Sequence, residues 1–222
     1  MKKNNIILIG FMGVGKGTVA RAMVKEVQEV GINSHFREDG KEEVCGNGTL
    51  VPYKNKAGTE VPVPNEENKE AGMVGINSHF QYVIDTDDLI ESMENRAIKK
   101  IFAVDGEAYF RNLEKKTALW LESSVDNTII STGGGFYRQE NLKNIGTVIY
   151  LKSSFDGILK RIKKAPNAKN KLKKRPLLQN KKEAMKLYDT RVKEYERVAD
   201  IIVDVENRDL EFIVKEILGQ IK

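Results

Sequence analysis

The sequence predicts an α/β fold, in which helices cover both faces of a mostly parallel sheet. Three observations predict it. Short apolar runs typical of buried strands alternate with segments of helical spacing, a glycine-rich turn joins the first strand to the first helix, and the chain closes on an amphipathic helix. With 222 residues, of which 40% are hydrophobic and 31% charged, one domain with a substantial core is expected.

The first strand is predicted at Ile6–Ile9, a continuous apolar run that ends at Gly10, as expected for a strand buried on both faces. Helical spacing begins at Lys16. Further strand candidates lie at 82–84, 128–130, 148–151 and 201–203. Between them helical spacing returns near residue 89 and again at 109–121. The final helix carries an i, i+3, i+4, i+7, i+8, i+11 stripe made of Leu210, Ile213, Val214, Ile217, Leu218 and Ile221.

Residues 31–80 do not fit this alternation. Apolar periodicity fades there, glycine and proline accumulate, and a loop of this length is unusual inside a compact domain. The heptad VGINSHF at 30–36 recurs letter for letter at 74–80, an offset of 74 − 30 = 44 residues. The simplest explanation is an inserted segment that duplicated its flanks. Its content is a small β-hairpin around Lys54–Gly58 or a disordered stretch, and it joins a helix to a strand, so it should hang away from the ligand end of the sheet.

Composition excludes several classes of protein. No apolar stretch is long enough to span a bilayer, and no signal peptide is recognisable. The single cysteine, Cys45, excludes an intramolecular disulfide, and both histidines lie in the duplicated heptad. The net charge is +5, and much of the excess of basic residues lies between Lys160 and Lys182, a segment without interleaved aromatic residues. This favours a solvated face or a lid over a nucleic-acid surface, and the expected setting is the cytoplasm.

The segment Gly10–Thr18 reads GFMGVGKGT and lies between the predicted strand and helix. GxxxxGK in that context is a P-loop, whose backbone N–H groups and helix N-terminus bind phosphate. Gly13, Gly15, Gly17 and Thr18 are therefore expected to contact the nucleotide, and Lys16 to reach its β- and γ-phosphates. Gly17 stands where a hydroxyl that ligates Mg²⁺ is usual, so Thr18 is the remaining hydroxyl for the metal. GKGT also occurs in adenylate kinases, so the loop leaves the phosphate acceptor open.

Asp85 and Asp87 follow the second strand, at the ligand end of the sheet. One of the two carboxylates is expected to contact Mg²⁺ or its waters and the other to accept the proton of an attacking hydroxyl. The alternative is an N-cap cluster for the helix that begins near Asp88.

Two further groups complete the acceptor candidates. Arg111 and Glu114 lie one helical turn apart, as in a surface ion pair. The triple glycine 133–135 follows a strand directly, which would let a ligand approach the backbone closely.

The ordered set of motifs resembles the shikimate kinase family. The matching pieces are GFMGxGK, DTDDLIE, IFxxxGExxFRxxE, TGGG, KRPLL and RxxxYxxxAD. They cover the chain except for about 31–80. The resemblance implies a P-loop three-layer sandwich with a parallel five-stranded sheet and a lid, here at 163–182. It also implies ATP and Mg²⁺ as cofactors and phosphorylation of shikimate to shikimate 3-phosphate in aromatic amino acid biosynthesis.

The resemblance also implies residue roles. Asp85, with Thr18, lies on the magnesium side, Asp87 is the proposed base, and Arg111 with Arg191 holds the substrate carboxylate. The rest of the substrate pocket matches Glu114, Gly133, Gly134 and Gly135. Arg175 matches the lid arginine that neutralises the transferring phosphoryl group, and Arg161 the arginine that stacks on adenine.

Rival functions remain at this stage. Another small P-loop kinase, acting on a nucleoside monophosphate or a sugar acid, is favoured by GKGT and disfavoured by the Arg111/Glu114 motif and the triple glycine. A nucleotide-binding switch would use the insertion as a docking arm. The expected partner is a small-molecule substrate, without nucleic acid or membrane, and the expected state is a monomer.

Overall fold

The structure is a computed structural model that describes residues 3–35, 80, 82–166, 168, 176–178 and 180–221. Five parallel strands form one sheet in the order β2-β3-β1-β4-β5. The strands are β1 (Ile6–Ile9), β2 (Tyr82–Asp85), β3 (Thr128–Ser131), β4 (Thr147–Lys152) and β5 (Ile201–Asp204). All five lie where the apolar runs predicted them, so the parallel doubly wound sheet is confirmed.

Eight α-helices lie in the described part of the chain. They are α1 (Lys16–His35), α2 (Thr86–Glu94), α3 (Ile98–Val104), α4 (Gly106–Ser124), α5 (Leu142–Ile145), α6 (Phe155–Lys164), α7 (Lys181–Val198) and α8 (Leu210–Gln220). Short 3₁₀ turns lie at Phe136–Arg138 and Pro176–Leu178. None of the described helices is long and apolar enough to cross a membrane.

The centre of the sheet is buried on both faces. Every residue of β1 and β3 is buried, and Ile7 pairs with Ile130 on one side and Val148 on the other. Alternate side chains of a strand point to opposite faces, so helices must cover both. The middle of the predicted stripe packs as expected, since Ile213, Val214 and Ile217 are buried, whereas Leu210 at its start is 37% exposed.

Helices α2, α3 and α4 form a small unit beside β2 with its own core of Ile90, Ile101, Phe110 and Leu113. Phe102 adds to it by packing on Phe110, with ring centroids 4.7 Å apart. Burial of Phe110 and Leu113 fixes the rotation of α4 about its axis. This matters because Arg111 and Glu114 lie on the same helix, one residue further along in each case.

Part of the predicted inserted segment can be placed. Helix α1 continues through His35, five residues into the range 31–80, and the fold resumes at Phe80, which is 2% exposed and part of the main core. The hairpin predicted around Lys54–Gly58 lies outside the described residues. Because α1 starts at the P-loop and β2 ends at Asp85, the two ends of the segment connect at the opposite end of the sheet.

Candidate active site

The P-loop backbone adopts conformations that favour glycine. Gly10, Gly13 and Gly15 have φ angles of 146°, 89° and 108°, a region that residues with a Cβ atom rarely occupy. The Lys16 ammonium is folded back over the loop and donates to the Gly10 carbonyl at 2.8 Å and the Phe11 carbonyl at 3.4 Å. The loop therefore presents backbone N–H groups, a buried cation and the N-terminus of α1 to the same space, which suits a phosphate.

Helix α6 closes the other side of this loop. The Arg161 guanidinium lies so close to Gly15 that any Cβ there would overlap it, and Ile162 approaches Gly13 in the same way. Burial lowers the pKa of Arg161, and no carboxylate of the described residues forms an ion pair with it. A half-buried cation in this position favours an anionic ligand.

Asp85 is held by both of its carboxylate oxygens. Oδ1 accepts a hydrogen bond from the Asp87 backbone N–H at 3.0 Å, which caps α2, and Oδ2 accepts from the Ser131 hydroxyl at 2.8 Å. The predicted alternative of an N-cap is thus correct for Asp85, and the capping leaves Asp87 projecting from the first turn of α2. The neighbouring Thr86 accepts a hydrogen bond from the Gly133 N–H at 3.0 Å, so this contact ties β2 to the loop after β3.

Asp87 is the most perturbed carboxylate of the site. Its burial, followed by the nearby charge of Asp85, raises its pKa to about 6, while the Lys16 ammonium acts in the opposite direction. A carboxylate whose pKa lies close to neutral is suited to accept a proton from a hydroxyl at physiological pH. Its position beside the P-loop lysine places that proton acceptor next to the phosphate site.

Arg111 is held by two carboxylates of α4. Its Nη1 pairs with Glu114 at 2.6 Å, and its Nε and Nη2 donate to Glu107 at 3.0 and 2.7 Å. The Glu114 side chain is only 2% exposed, and burial raises its pKa despite the arginine. The pair is therefore not the surface ion pair that the spacing alone permitted, because Glu114 is buried and Arg111 closely approaches Gly135.

Each residue of the triple glycine is closely approached by a side chain from a different helix. A Cβ on Gly133 would overlap Asp87, one on Gly134 would lie 2.9 Å from Arg191 Nη1, and one on Gly135 would lie 2.5 Å from Arg111 Nη1. The sequence predicted close approach of a ligand to this backbone, but the described contacts are with the site's own side chains. The Gly133 N–H is likewise engaged by Thr86. The loop is thus the point where α2, α4 and α7 converge.

Arg191 carries an unsatisfied donor. Its residue is 6% exposed, yet its Nε has no hydrogen-bond partner among the described residues. A buried guanidinium N–H without an acceptor costs free energy, and a ligand carboxylate in the cleft would remove that cost.

The residues around Gly17 suit a divalent cation only in part. A Cβ at Gly17 would sit 3.7 Å from Asp85 Oδ2 and 3.5 Å from Arg21 Nη1, so a side chain would fit there. Among the described residues no group of three or more acidic, histidine or cysteine side chains is arranged around one point. Asp85 and the Thr18 hydroxyl nevertheless supply oxygen, the ligand type that Mg²⁺ takes while it keeps waters and phosphate oxygens. They fit a metal that arrives with a nucleotide.

One cleft gathers most of the predicted residues. It is lined by Met12, Gly13, Gly15, Lys16, Gly17, Thr18, Arg21, Asp85, Asp87, Ser131, Thr132, Gly134, Arg161, Ile162 and Ala165. Arg111, Glu114, Gly133, Gly135 and Arg191 adjoin it through the contacts above. Arg175 lies outside the described residues, as do the lid residues 167, 169–174 and 179. Arg21, Ser131 and Thr132 were missed, and for Arg21 the signal was available, since it lies one turn after Gly17 on α1.

Comparisons with known proteins show the family of the chain. The family profile described as shikimate kinase matches residues 77–222. A shikimate kinase of Helicobacter hepaticus is 34% identical over 211 residues, which cover 95% of this chain and 92% of that protein. One of Dictyoglomus turgidum is 37% identical over 144 residues, 63% of this chain and 81% of its own length.

Solved structures show the same fold. Shikimate kinase from Acinetobacter baumannii, in complex with shikimate, superposes with a TM-score of 0.66 at 23% identity, covering 99% of this chain and 93% of its own. Shikimate kinase from Aquifex aeolicus gives 0.60 at 27% identity, with 97% and 94% covered.

Proposed function

The chain belongs to the shikimate kinase family, and from that membership we propose that it phosphorylates shikimate with ATP to give shikimate 3-phosphate. The single observation that carries the proposal is Asp87, a half-buried carboxylate that lines one cleft with Lys16 and closely approaches Gly133. It lies between the P-loop lysine and the triple glycine, where Arg111 and Arg191 also converge. A phosphate site and a proton acceptor would thus share one cleft, with the two arginines proposed for the substrate carboxylate beside it.

The proposed reaction is an in-line transfer. The ring hydroxyl oxygen forms a bond to the γ-phosphorus of ATP, the bond from that phosphorus to the β,γ-bridging oxygen breaks, and ADP leaves with that electron pair. The hydroxyl proton passes to Asp87. Lys16 and the P-loop N–H groups stabilise the negative charge on the phosphoryl oxygens, so positioning and electrostatics provide most of the catalysis.

The acid end of shikimate would be held by Arg111 and Arg191. Two guanidinium groups are well suited to a carboxylate because each can donate two parallel hydrogen bonds. The Nε of Arg191 has no hydrogen-bond partner among the described residues, and a bound carboxylate would supply the missing acceptor. Glu114 would keep Arg111 aimed at the cleft through their 2.6 Å ion pair, and the backbone of Gly133–Gly135 would border the ring.

Magnesium is proposed as the metal, with Asp85 and Thr18 as the residues that would hold it or its waters. When bound with ATP it would supply charge neutralisation at the β- and γ-phosphates. Asp85 is already fixed in place by Ser131 and by the backbone of Asp87. Because Gly17 offers no hydroxyl, we expect the affinity for the metal to be lower than a serine at that position would give.

The remaining roles are proposals of the same kind. Arg161, which overlies Gly15, would contact the adenine. Residues 163–182 would form a lid that excludes water, with Arg175 neutralising the transferring phosphoryl group. We further propose a cytoplasmic monomer that acts on a small molecule and needs neither nucleic acid nor membrane.

The test is ADP release from Mg-ATP with shikimate, AMP and gluconate offered separately. Turnover is expected with shikimate alone, and Asp87→Asn should lower kcat by about 10²–10⁴, the usual contribution of a positioned base. Asp88→Asn, one residue along on the same helix and exposed, is the matched control and should stay near the wild-type rate. Turnover with AMP would show that the acceptor is a nucleoside monophosphate, the alternative that GKGT favours. Intact ATP binding without any turnover would favour the nucleotide-binding switch.

A further inference from the structure

The Tyr195 hydroxyl joins helix α7 to the triple-glycine loop. The residue is 1% exposed, and its hydroxyl donates to the Gly134 carbonyl at 2.6 Å. Burial raises the pKa of Tyr195 above its ordinary value, so the group stays protonated and remains a donor. None of the roles proposed above uses this contact.

The same hydroxyl adjoins Arg191, one turn earlier on α7. The two interact closely enough that the guanidinium lowers the pKa of the tyrosine, against the larger increase that burial causes. A Cβ at Gly134 would lie 2.9 Å from Arg191 Nη1 and 3.8 Å from the Tyr195 hydroxyl. The loop backbone, the guanidinium and the hydroxyl therefore meet at one point.

Aromatic neighbours fix the position of that hydroxyl. The Tyr195 ring packs edge-on against Tyr137, with centroids 5.0 Å apart, and in a tilted arrangement against Tyr150 at 5.2 Å. Tyr137 lies two residues after the triple glycine and Tyr150 lies on β4. The ring is thus held between the loop and the sheet, and packing alone would keep it there without its oxygen.

We propose that Tyr195 is a positioning residue for the substrate carboxylate, acting through Arg191 and the Gly134 carbonyl. The inference rests on the proposed function, in which Arg191 binds the acid end of shikimate. The guanidinium and the hydroxyl both lie against the Gly134 backbone, so the hydroxyl would help to orient the guanidinium, whose Nε has no partner among the described residues. The hydrogen bond from the same hydroxyl to the Gly134 carbonyl fixes the loop that also borders Asp87 and Arg111. The carboxylate end and the reacting hydroxyl of the substrate would therefore be positioned by one backbone segment.

The variant Tyr195→Phe removes the oxygen and keeps the ring. We expect KM for shikimate to rise about tenfold, with kcat and KM for ATP within about twofold of wild type, because uniform binding is lost rather than transition-state binding. Tyr150→Phe is the matched control. Its ring packs on Tyr195, but among the described residues its hydroxyl forms no hydrogen bond with the glycine loop, so its constants should be unchanged. Thermal melting of both variants shows whether each is folded.

The methyl ester of shikimate separates positioning from a general structural effect. If the hydroxyl acts through carboxylate binding, wild type and Tyr195→Phe should handle the ester almost equally, while they differ about tenfold on shikimate. An equal loss on acid and ester would overturn the inference, as would an unchanged KM for shikimate in a folded variant. Absence of any shikimate turnover by the wild-type chain would overturn the proposed function itself and this inference with it.

Discussion

The phosphate wall of the cleft, residues 10–18, is one short stretch of backbone, whereas the acceptor wall is made of side chains from separate elements. The acceptor wall comprises Asp87, Arg111, Glu114, Gly133–Gly135 and Arg191, supplied by α2, α4, the loop after β3 and α7. The phosphate wall is determined by local conformation, since three of its four glycines, Gly10, Gly13 and Gly15, adopt positive φ. The acceptor wall depends on long-range packing, which brings residues more than one hundred positions apart to the same loop.

The glycines of the two walls illustrate the difference. Gly13 and Gly15 are needed for their backbone conformation as well as for space. The triple glycine has no positive φ, and it is needed because Asp87, Arg191 and Arg111 each approach one of its members. Substitution there should displace a functional group rather than strain the chain.

Gly133→Ala should have the largest effect of the predictions that follow. The added methyl would overlap the Asp87 carboxylate, and because a misplaced base loses most of its effect, kcat should fall about 10²-fold or more. Gly17→Ala, where a Cβ meets nothing closer than 3.5 Å, is the matched change on the phosphate wall and should keep near-normal kcat with shikimate. Steady-state kinetics with thermal melting checks both. Equal losses in the two variants would contradict the comparison.

How much the sequence could predict follows the same division. The P-loop, the five strands and the carboxylates after β2 are local patterns, and all were recognised from the residues. The Arg111/Glu114 pair was found by its helical spacing, but its burial was not, because that depends on the separate core beneath α4.

Contacts that depend on strand order were out of reach. Ser131 binds Asp85 across 46 positions because β3 lies between β2 and β1, which no local pattern reveals. The Tyr195 contact with Gly134 spans 61 positions and requires α7 to pack over the loop. The close approach expected at the triple glycine was correct in geometry, but the groups that approach are the protein's own.

Arg111→Lys and Arg161→Lys compare a cation of the acceptor wall with the cation that overlies the phosphate wall at Gly15. Lysine cannot reproduce the planar fork that Arg111 offers to Glu107 and Glu114 and would offer to a carboxylate. KM for shikimate should rise about 10–100-fold, the range for a charged hydrogen bond, with KM for ATP little changed. Arg161→Lys should do the reverse and raise KM for ATP alone. Initial rates measured with shikimate and with ATP varied in turn give both KM values. If each variant raised both KM values, the two walls would not bind separate substrates.

The pH dependence of activity should come from the acceptor wall. With the Asp87 pKa near 6, kcat/KM for shikimate should fall about tenfold per pH unit below that value, because only the ionised form accepts the proton. Asp88→Asn removes the weakest of the charges that raise this pKa and should move the acid limb only slightly to lower pH. If kcat/KM of the wild-type enzyme fell only below about pH 4, the assignment of Asp87 as the proton acceptor would be contradicted.

The same pKa implies a stability effect of opposite sign to the activity effect. Since the folded-state pKa of Asp87 lies above its ordinary value of 3.8, the folded chain binds more protons than the unfolded chain between about pH 4 and pH 6. Its contribution to the free energy of unfolding is therefore greatest below pH 4 and is lost as pH rises through 6. Asp87→Asn should melt at a higher temperature than wild type at pH 8, and the gap should narrow towards pH 4. Melting without nucleotide or metal tests this, and a lower melting temperature at pH 8 would contradict it.

Gly17→Ser should produce the smallest effect, because it adds one ligand to a wall that already has backbone N–H groups and Lys16. A side chain at this position points towards Asp85 Oδ2, 3.7 Å from the Cβ, so its hydroxyl would lie on the metal side. The Mg²⁺ concentration for half-maximal rate at fixed ATP should fall by about threefold to tenfold, which corresponds to about one hydrogen-bond-sized contribution. Gly17→Ala fills the same space without an oxygen and should titrate like wild type. If serine and alanine gave the same curve, the loss of a hydroxyl at residue 17 would carry no consequence for the metal, and Asp85 with Thr18 would suffice.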